Sequence, residues 1–390
     1  MQINGISPAL PRTFQEGLSP VWKKIAEAIA VITIAIFATL LAGWAGLIAT
    51  VLIYGAIKAC ALTPLPPQHR QQDPVEKTFN LEELLQNPPH FSNQNKAHAY
   101  QVLTAGRDLT EESITIRKTT LSNPPDREHL FNRPKTQVQL FEGTFPYPVG
   151  EHHWTANFGD PHLFFGCEGP LLAQDELQVL EFPALSHLHR AILNTPFARL
   201  DTMGSCLLIE GAKRHGHLDT SREFPGFGNL YGNRFRAASF QQIDEALARF
   251  EIPLNSKLFV FCAPNISPDL EGQPYRYEHL HHLFINAYAA FKGIQEKDPN
   301  AVIHTGNWGC GAFGNSVAAQ ALMQIAAARL AGIKRIHYYP LLQAAEFNAA
   351  EQLFDQIERE NPRMTVDGFL RYVEAHAAEF GLLYGRGNGT

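Results

Sequence analysis

The pattern of apolar and polar positions divides the chain into three parts. From Ala28 to Ile57 it reads "AIAVITIAIFATLLAGWAGLIATVLIYGAI", without a charge, between Glu27 and Lys58. A single membrane span needs only ~20 residues. The excess, with "GWAG" at Gly43–Gly46 in its middle, predicts two short apolar helices of about 15 residues joined as a hairpin that dips into a membrane. Lys23 and Lys24 precede the run, and Lys58 and Arg70 follow it, a distribution that fits both ends on the cytosolic side. A secretory signal peptide is shorter and starts earlier. The hairpin is therefore expected over 23–62, after an N-terminal tail over 1–22.

Beyond it, "TPLPPQHRQQDP" (Thr63–Pro74) has the Pro- and Gln-rich composition of an extended linker. The polar stretch that follows predicts two short helices, "NLEELLQ" (80–86) and "KAHAYQVLTAG" (96–106), and one strand, "TQVQLFEG" (136–143). Residues 63–149 are accordingly expected to be linker and accessory region.

From Trp154 onward the pattern is regular. Short apolar runs rich in β-branched and aromatic residues predict strands at Gly204–Ala212, Lys257–Pro264, Ala301–Asn307 and Lys334–Pro340. Helical periodicity lies between and after them, at 277–294, 316–332 and 351–360, the second ending on Gly332. Strands alternating with helices predict an α/β sandwich with a mixed, largely parallel sheet over 150–390. The expected whole is that sandwich with a helical accessory region and an N-terminal hydrophobic hairpin.

Composition narrows the partners. The 390-residue chain is 45% hydrophobic and 18% charged, enough for a sizeable core. Its net charge is −6, with no Lys/Arg cluster to neutralise phosphates, so nucleic acid is not an expected partner. The five cysteines are widely spaced, with no C-x-x-C pair; free thiols in a reducing compartment are expected. His279 and His282 lie one helical turn apart but lack a third ligand, and no metal or cofactor is expected.

The chemistry concentrates in "HTGNWGCGAFGNS" (His304–Ser316), between a predicted strand and a predicted helix. Gly309, Gly311 and Gly314 spell G-x-G-x-x-G. Bare backbone N–H groups beside a helix N-terminus make an anion site. A dinucleotide fold needs an acid at the end of the next strand, which here reads "HYYPLLQ"; a Walker loop needs G-K-[ST], also missing. Three glycines used merely for a tight packed turn remain the structural alternative.

The string "TGNWGCGAFGN" (Thr305–Asn315), followed by "ALMQIAAARLAGIKRIHYY", resembles the poly(ADP-ribose) glycohydrolase family, whose fold is a macrodomain that binds ADP-ribose. "MTVDGFLRYVEAHAAEF" (Met364–Phe380) is similar to the helix that closes that domain. Upstream, "AQDELQVLEFPAL" (Ala173–Leu185) is similar to the family's Gln-Glu-Glu segment: Gln174 matches the Gln, Asp175 the first Glu and Glu176 the second, catalytic Glu. Asn157 in "TAN" matches the Asn before the family's glycine loop. "FPGFGN" (Phe224–Asn229) resembles Tyr-x-Gly-Tyr-Gly-Asn, placing Phe227 over the ligand, and Tyr339 stands where the family has a ring near the adenine. The family's three consecutive glycines are replaced by "HLFFGCEGPLL" (His162–Leu172), in which only Gly166 and Gly169 remain, and two Phe side chains are expected to narrow the diphosphate's path.

The resemblance implies hydrolysis of a ribose glycosidic bond, with Glu176 donating a proton to the leaving oxygen and then activating water. Asp175 raises the pKa of Glu176 by like-charge repulsion or orients the ribose. Thr305, Gly306, Asn307, Trp308, Gly309, Cys310, Gly311, Ala312, Phe313 and Gly314 are expected to bind substrate, with Asn157, Gly166, Gln174, Phe227 and Tyr339. The implied substrate is poly(ADP-ribose) or an ADP-ribosylated protein, ubiquitin included. The alternative is a non-catalytic, membrane-tethered ADP-ribose reader. The expected location is a membrane, through 25–62, with the catalytic domain in the cytosol; such an anchor resembles bacterial effectors that sit in a host membrane.

Overall fold

The structure, a computed structural model, describes residues 75–387 apart from 110–112, 144–145 and 201. The expected hairpin at 23–62 lies outside the described residues. Among the described residues no helix is long and apolar enough to cross a membrane.

Among these residues, eight strands form one sheet: β1 (Val75–Asn80), β2 (Ser113–Thr120), β3 (Gln137–Leu140), β4 (His153–Gly159), β5 (Ser205–Leu218), β6 (Leu247–Cys262), β7 (Val302–Gly306) and β8 (Arg335–Tyr339). Their order is β1-β2-β5-β6-β4-β7-β8-β3. From β6 to β3 every neighbour is parallel, whereas β1, β2 and β5 join antiparallel. The sheet is thus mixed, as alternation of strands and helices predicts.

The difference lies in 75–149. Beyond its helices, this stretch supplies both β1 and β2 to one edge of the sheet and β3 to the other. β3 falls within the strand predicted at 136–143, whereas β1 is faint in sequence because an edge strand buries little, here only Phe79. β4 is concealed for another reason. Its buried positions include Thr155 and Asn157, so it lacks the apolar run of a central parallel strand.

The helices are α1 (Leu81–Leu85), α2 (Gln94–Thr104), α3 (Gln174–Glu181), α4 (Pro183–Ile192), α5 (Phe240–Ala246), α6 (Tyr277–Lys297), α7 (Val317–Ala331), α8 (Ala344–Glu360) and α9 (Val366–Ala375). α6 to α9 pack on one sheet face, against Trp154, Phe259, Phe261, Ile303 and Ile336. α7 is buried almost all round, which its alanines allow. It starts where the Ser316 hydroxyl accepts from Ala319 N and stops at Gly332, in the left-handed region. The opposite face carries Ile114, Ile116, Leu207, Ile209, Leu258 and Val260 beneath Leu185, Leu188 and Ile192 of α4. Each such fully buried side chain contributes ~1.5–3 kcal/mol. A third cluster joins α2 and α5 to Leu218, at the end of β5.

Candidate active site

The glycine turn hangs from the end of β7. Thr305 is fully buried, its hydroxyl donating to Gln324 Oε1 at 2.7 Å, and Gln324 Nε2 donates to Gly306 O at 3.1 Å. Trp308 is also interior: its ring stacks on Phe261 at 3.9 Å and its indole N–H donates to Phe261 O at 3.2 Å. Asn315 closes the turn, donating from Nδ2 to Pro264 O at 2.9 Å and Gly309 O at 3.2 Å. Gly309 has φ +69°, and a Cβ there would overlap Ala263 Cβ, so only glycine fits. Thr305, Gly306 and Trp308, expected at the ligand, therefore lie beneath the turn and fix its shape.

The acidic segment opens α3. Gln174 is stitched to β4: its Oε1 accepts from Phe158 N at 2.9 Å and its Nε2 donates to Ala156 O at 3.1 Å. Asn157 Nδ2 donates to Asp175 Oδ1 at 2.8 Å. Glu176 Oε2 accepts from Ala173 N at 2.9 Å, capping its own helix. Gly166 packs directly on this carboxylate; a Cβ there would overlap Glu176 Oε1. Both acids are buried, and both titrate above the ordinary carboxylate range. For Asp175 the causes are burial and then the neighbouring Glu176; for Glu176 burial leads, opposed by Lys96.

In the loop that stands in place of three glycines, the two Phe side chains expected to narrow the diphosphate's path both turn away from the cavity that α3 and the glycine turn share. Phe164, at φ +60°, turns its ring into the core beneath α4, and Phe165 points to solvent, 72% exposed. The loop is pinned through Glu168, which accepts from Arg190 Nε at 2.6 Å and His90 N at 2.7 Å.

A cavity of about 670 Å³ unites the two segments. Gln174 and Leu177 line it from α3, and Asn307, Cys310 and Gly311 from the turn. Tyr339 lines it too; its hydroxyl pairs with His304 Nδ1 at 3.0 Å, and His304 Nε2 with His153 Nδ1 at 2.8 Å. Burial, with His337 and His153 alongside, lowers the pKa of His304 to about 3, which favours its neutral imidazole. Asn307 is held at the wall, donating to Pro340 O and Gln343 Oε1, each at 2.9 Å.

Other expected residues stand elsewhere. Phe227 is outside the cavity wall, half-buried against the third core cluster in the Phe224–Gly228 hairpin. Asn157, Gly166, Asp175 and Glu176 do not line this cavity, and all but Gly166 are buried. Ala312 faces a separate cavity of about 710 Å³ with Ile266 and Arg386, while Phe313 packs on the main core and Gly314 against Gly385 and Gly387.

Sequence reasoning did not single out Arg214, Arg234 or Tyr231, which also line the cavity. Arg214 is committed to Glu181, 2.6 Å away. Arg234 is exposed and makes no side-chain hydrogen bond or ion pair among the described residues, a guanidinium available to an anion. No spacing or motif marks either arginine. No group of three or more His, Cys, Asp or Glu among the described residues is placed to hold a metal.

Fold and site together define a macrodomain-type α/β domain with a cleft at the carboxyl ends of its parallel strands. Residues 205–348 match the family described as "Poly (ADP-ribose) glycohydrolase (PARG), Macro domain fold". Among solved structures, poly(ADP-ribose) glycohydrolase from Thermomonospora curvata bound to the inhibitor ADP-HPD is similar at 15% identity and TM-score 0.40, over 69% of this chain and 95% of that one. The Deinococcus radiodurans enzyme in complex with ADP-ribose is similar at 11% identity and TM-score 0.40, over 74% and 99%. An Oceanobacillus iheyensis macrodomain mutant gives 10% identity and TM-score 0.35, over 59% and 92%. At these identities and scores the reading rests on the family match and on the geometry above.

Proposed function

We propose that the protein is an ADP-ribosyl glycohydrolase that holds an ADP-ribose unit between the glycine turn and α3. The observation that carries this is the shared cavity: Gln174 of the acidic segment and Asn307, Cys310 and Gly311 of the turn line one space. Backbone amides of the turn take the diphosphate, with Arg234 as counter-charge. Tyr339 offers its ring to the base. Glu176, its pKa raised by burial, donates in its protonated form to the leaving oxygen and then acts as base toward water.

The substrate is poly(ADP-ribose) or an ADP-ribosylated protein, ubiquitin among the candidates. The test is incubation of the protein with each, reading free ADP-ribose by mass. Glu176→Gln is expected to lower release by ~10²–10⁴-fold while ADP-ribose still binds. Release unchanged in that variant overturns the assignment.

One observation favours a second reading, a non-catalytic ADP-ribose reader: the Glu176 carboxylate is buried and already engaged as a helix cap. Calorimetric binding by both forms, without turnover of any ADP-ribosylated substrate by wild type, decides for the reader. The apolar run 28–57 supports a membrane tether for either activity; recovery of the protein in a carbonate-washed membrane pellet tests it.

A further inference from the structure

Of the four residues α2 buries, Asn95 is hydrogen-bonded to Phe235 O and Ala238 O, and Lys96, Ala99 and Leu103 are spaced as one face of a helix. Two of these positions hold apolar residues; the third holds a lysine with no exposed surface, the sole buried lysine among the described residues. Lysine is almost never fully buried unless paired, and an isolated internal ammonium costs several kcal/mol. The position therefore demands an account.

Its surroundings supply one. Lys96 Nζ donates to Gly166 O at 2.9 Å. Gly166 is the residue whose bare Cα rests on the Glu176 carboxylate. The ammonium lies in the field of Glu176, Cys167, Asp175 and Glu168. Three buried ionisable groups thus share one volume: two acids and one base. With Lys96 charged, that volume is neutral when the two carboxyl groups hold a single proton between them. One acid and one carboxylate is also the state from which proton donation and later proton removal both start.

We propose that Lys96 is a positioning residue of the active site: it holds Gly166 and its loop against Glu176 and supplies the counter-charge that keeps the Asp175–Glu176 pair singly protonated. The charged and titratable groups facing it are Asp175 and Glu176 from α3, and Cys167 and Glu168 from the 162–169 loop, Glu168 being neutralised by Arg190 of α4. Asp160, after β4, Cys262 of β6 and Tyr231, on the cavity wall, complete the set around the pair. The electrostatics agree in direction. Burial lowers Lys96 to about 8, Glu176 foremost opposing it, and after burial Lys96 has the largest influence on Glu176.

The proposal rests on the glycohydrolase reading for its kinetic readout alone. The test compares the full chain with K96Q, which keeps a donor toward Gly166 O but loses the charge, and with K96R, which keeps the charge. Carboxyl ¹³C NMR follows the pair, with Glu176→Gln and Asp175→Asn giving the assignment. In K96Q the titration of the pair is expected to move upward by about one unit or more, the size of an opposite-charge effect at close range. The pH profile of kcat shifts the same way with KM unchanged, and K96R returns both toward wild type. A folded K96Q whose pair titrates as in wild type overturns the proposal. Should K96Q fail to fold, the Lys96 side-chain ¹⁵N resonance decides: its titration is expected to move downward in Glu176→Gln, which removes the facing carboxylate, and an unmoved titration overturns the proposal. A wild type that releases no ADP-ribose refutes the glycohydrolase reading and leaves the carboxyl titration to judge Lys96.

Discussion

The two walls of the cleft are built on opposite principles. The β7–α7 turn is a backbone device: Trp308, Asn315 and Gln324 fix its shape from below, and a Cβ at Gly309 would not fit. The α3 side is an electrostatic device: two buried acids, Asn157, and the loop that Lys96 fastens over Glu176. Shape of the first kind is local in sequence. Charge balance of the second kind is assembled from segments far apart in the chain, and single motifs do not display it.

The sharpest break in this comparison comes from Trp308→Ala. Loss of a buried ring stacked on Phe261 is expected to cost ~3–5 kcal/mol and to remove ADP-ribose binding along with the turn's shape. Thermal unfolding and calorimetry check it. A protein of unchanged Tm would show that the turn does not depend on that ring.

Next is a matched pair of glycines. Gly309→Ala meets Ala263 Cβ in a left-handed conformation, so stability is expected to fall by ~1–3 kcal/mol. Gly166→Ala meets no backbone but only the Glu176 side chain, from Oε1 to Cγ, and displaces that carboxylate. Its Tm should stay near wild type while ADP-ribose release falls by ~10-fold or more, on the order of one well-placed acid–base contact. Equal effects on Tm in the two variants would erase the distinction between a shape-built and a charge-built wall.

Arg234→Ala tests the guanidinium facing the cavity. A charge-assisted contact to the diphosphate of ~1.5–3 kcal/mol predicts a loss of ADP-ribose affinity of at least ~10-fold, shrinking at high salt. Affinity equal to wild type at low salt would remove Arg234 from the site.

The smallest expected effect is in stability against pH. Asp175 holds its proton more tightly folded than unfolded, because burial and Glu176 raise its pKa. Its contribution is fully present below the unfolded value near 4 and is lost as pH rises through the raised folded value. Asp175→Asn keeps the acceptor for Asn157 and removes that loss. The variant should gain on wild type as pH rises through this window in urea titrations, and a constant difference across it would contradict the assignment.

Much of the fold was legible. Short apolar strands and the alanine-rich helix ended by Gly332 fall where the pattern predicts. What escaped were β1, an edge strand needing one buried Phe79, β2, which buries only Ile114 and Ile116, and β4, whose buried Thr155 and Asn157 read as polar. Of the site, Gln174, Asn307, Cys310, Gly311 and Tyr339 reach the cavity as the motifs imply. Trp308 and Thr305 do not, because a motif preserves the supports of a turn as firmly as its contacts. Lys96 was invisible for the reverse reason: on a helix of modest amphipathicity, a lysine at a buried position looks like any solvated one.

The central claim is that both walls hold one ADP-ribose. Hydrogen exchange of the Glu176→Gln protein with and without ADP-ribose measures this directly. The account predicts slowed exchange of amides in 309–314 and, in the same titration, in 173–177. Protection confined to one of these segments, or to neither at saturating ligand, would contradict it.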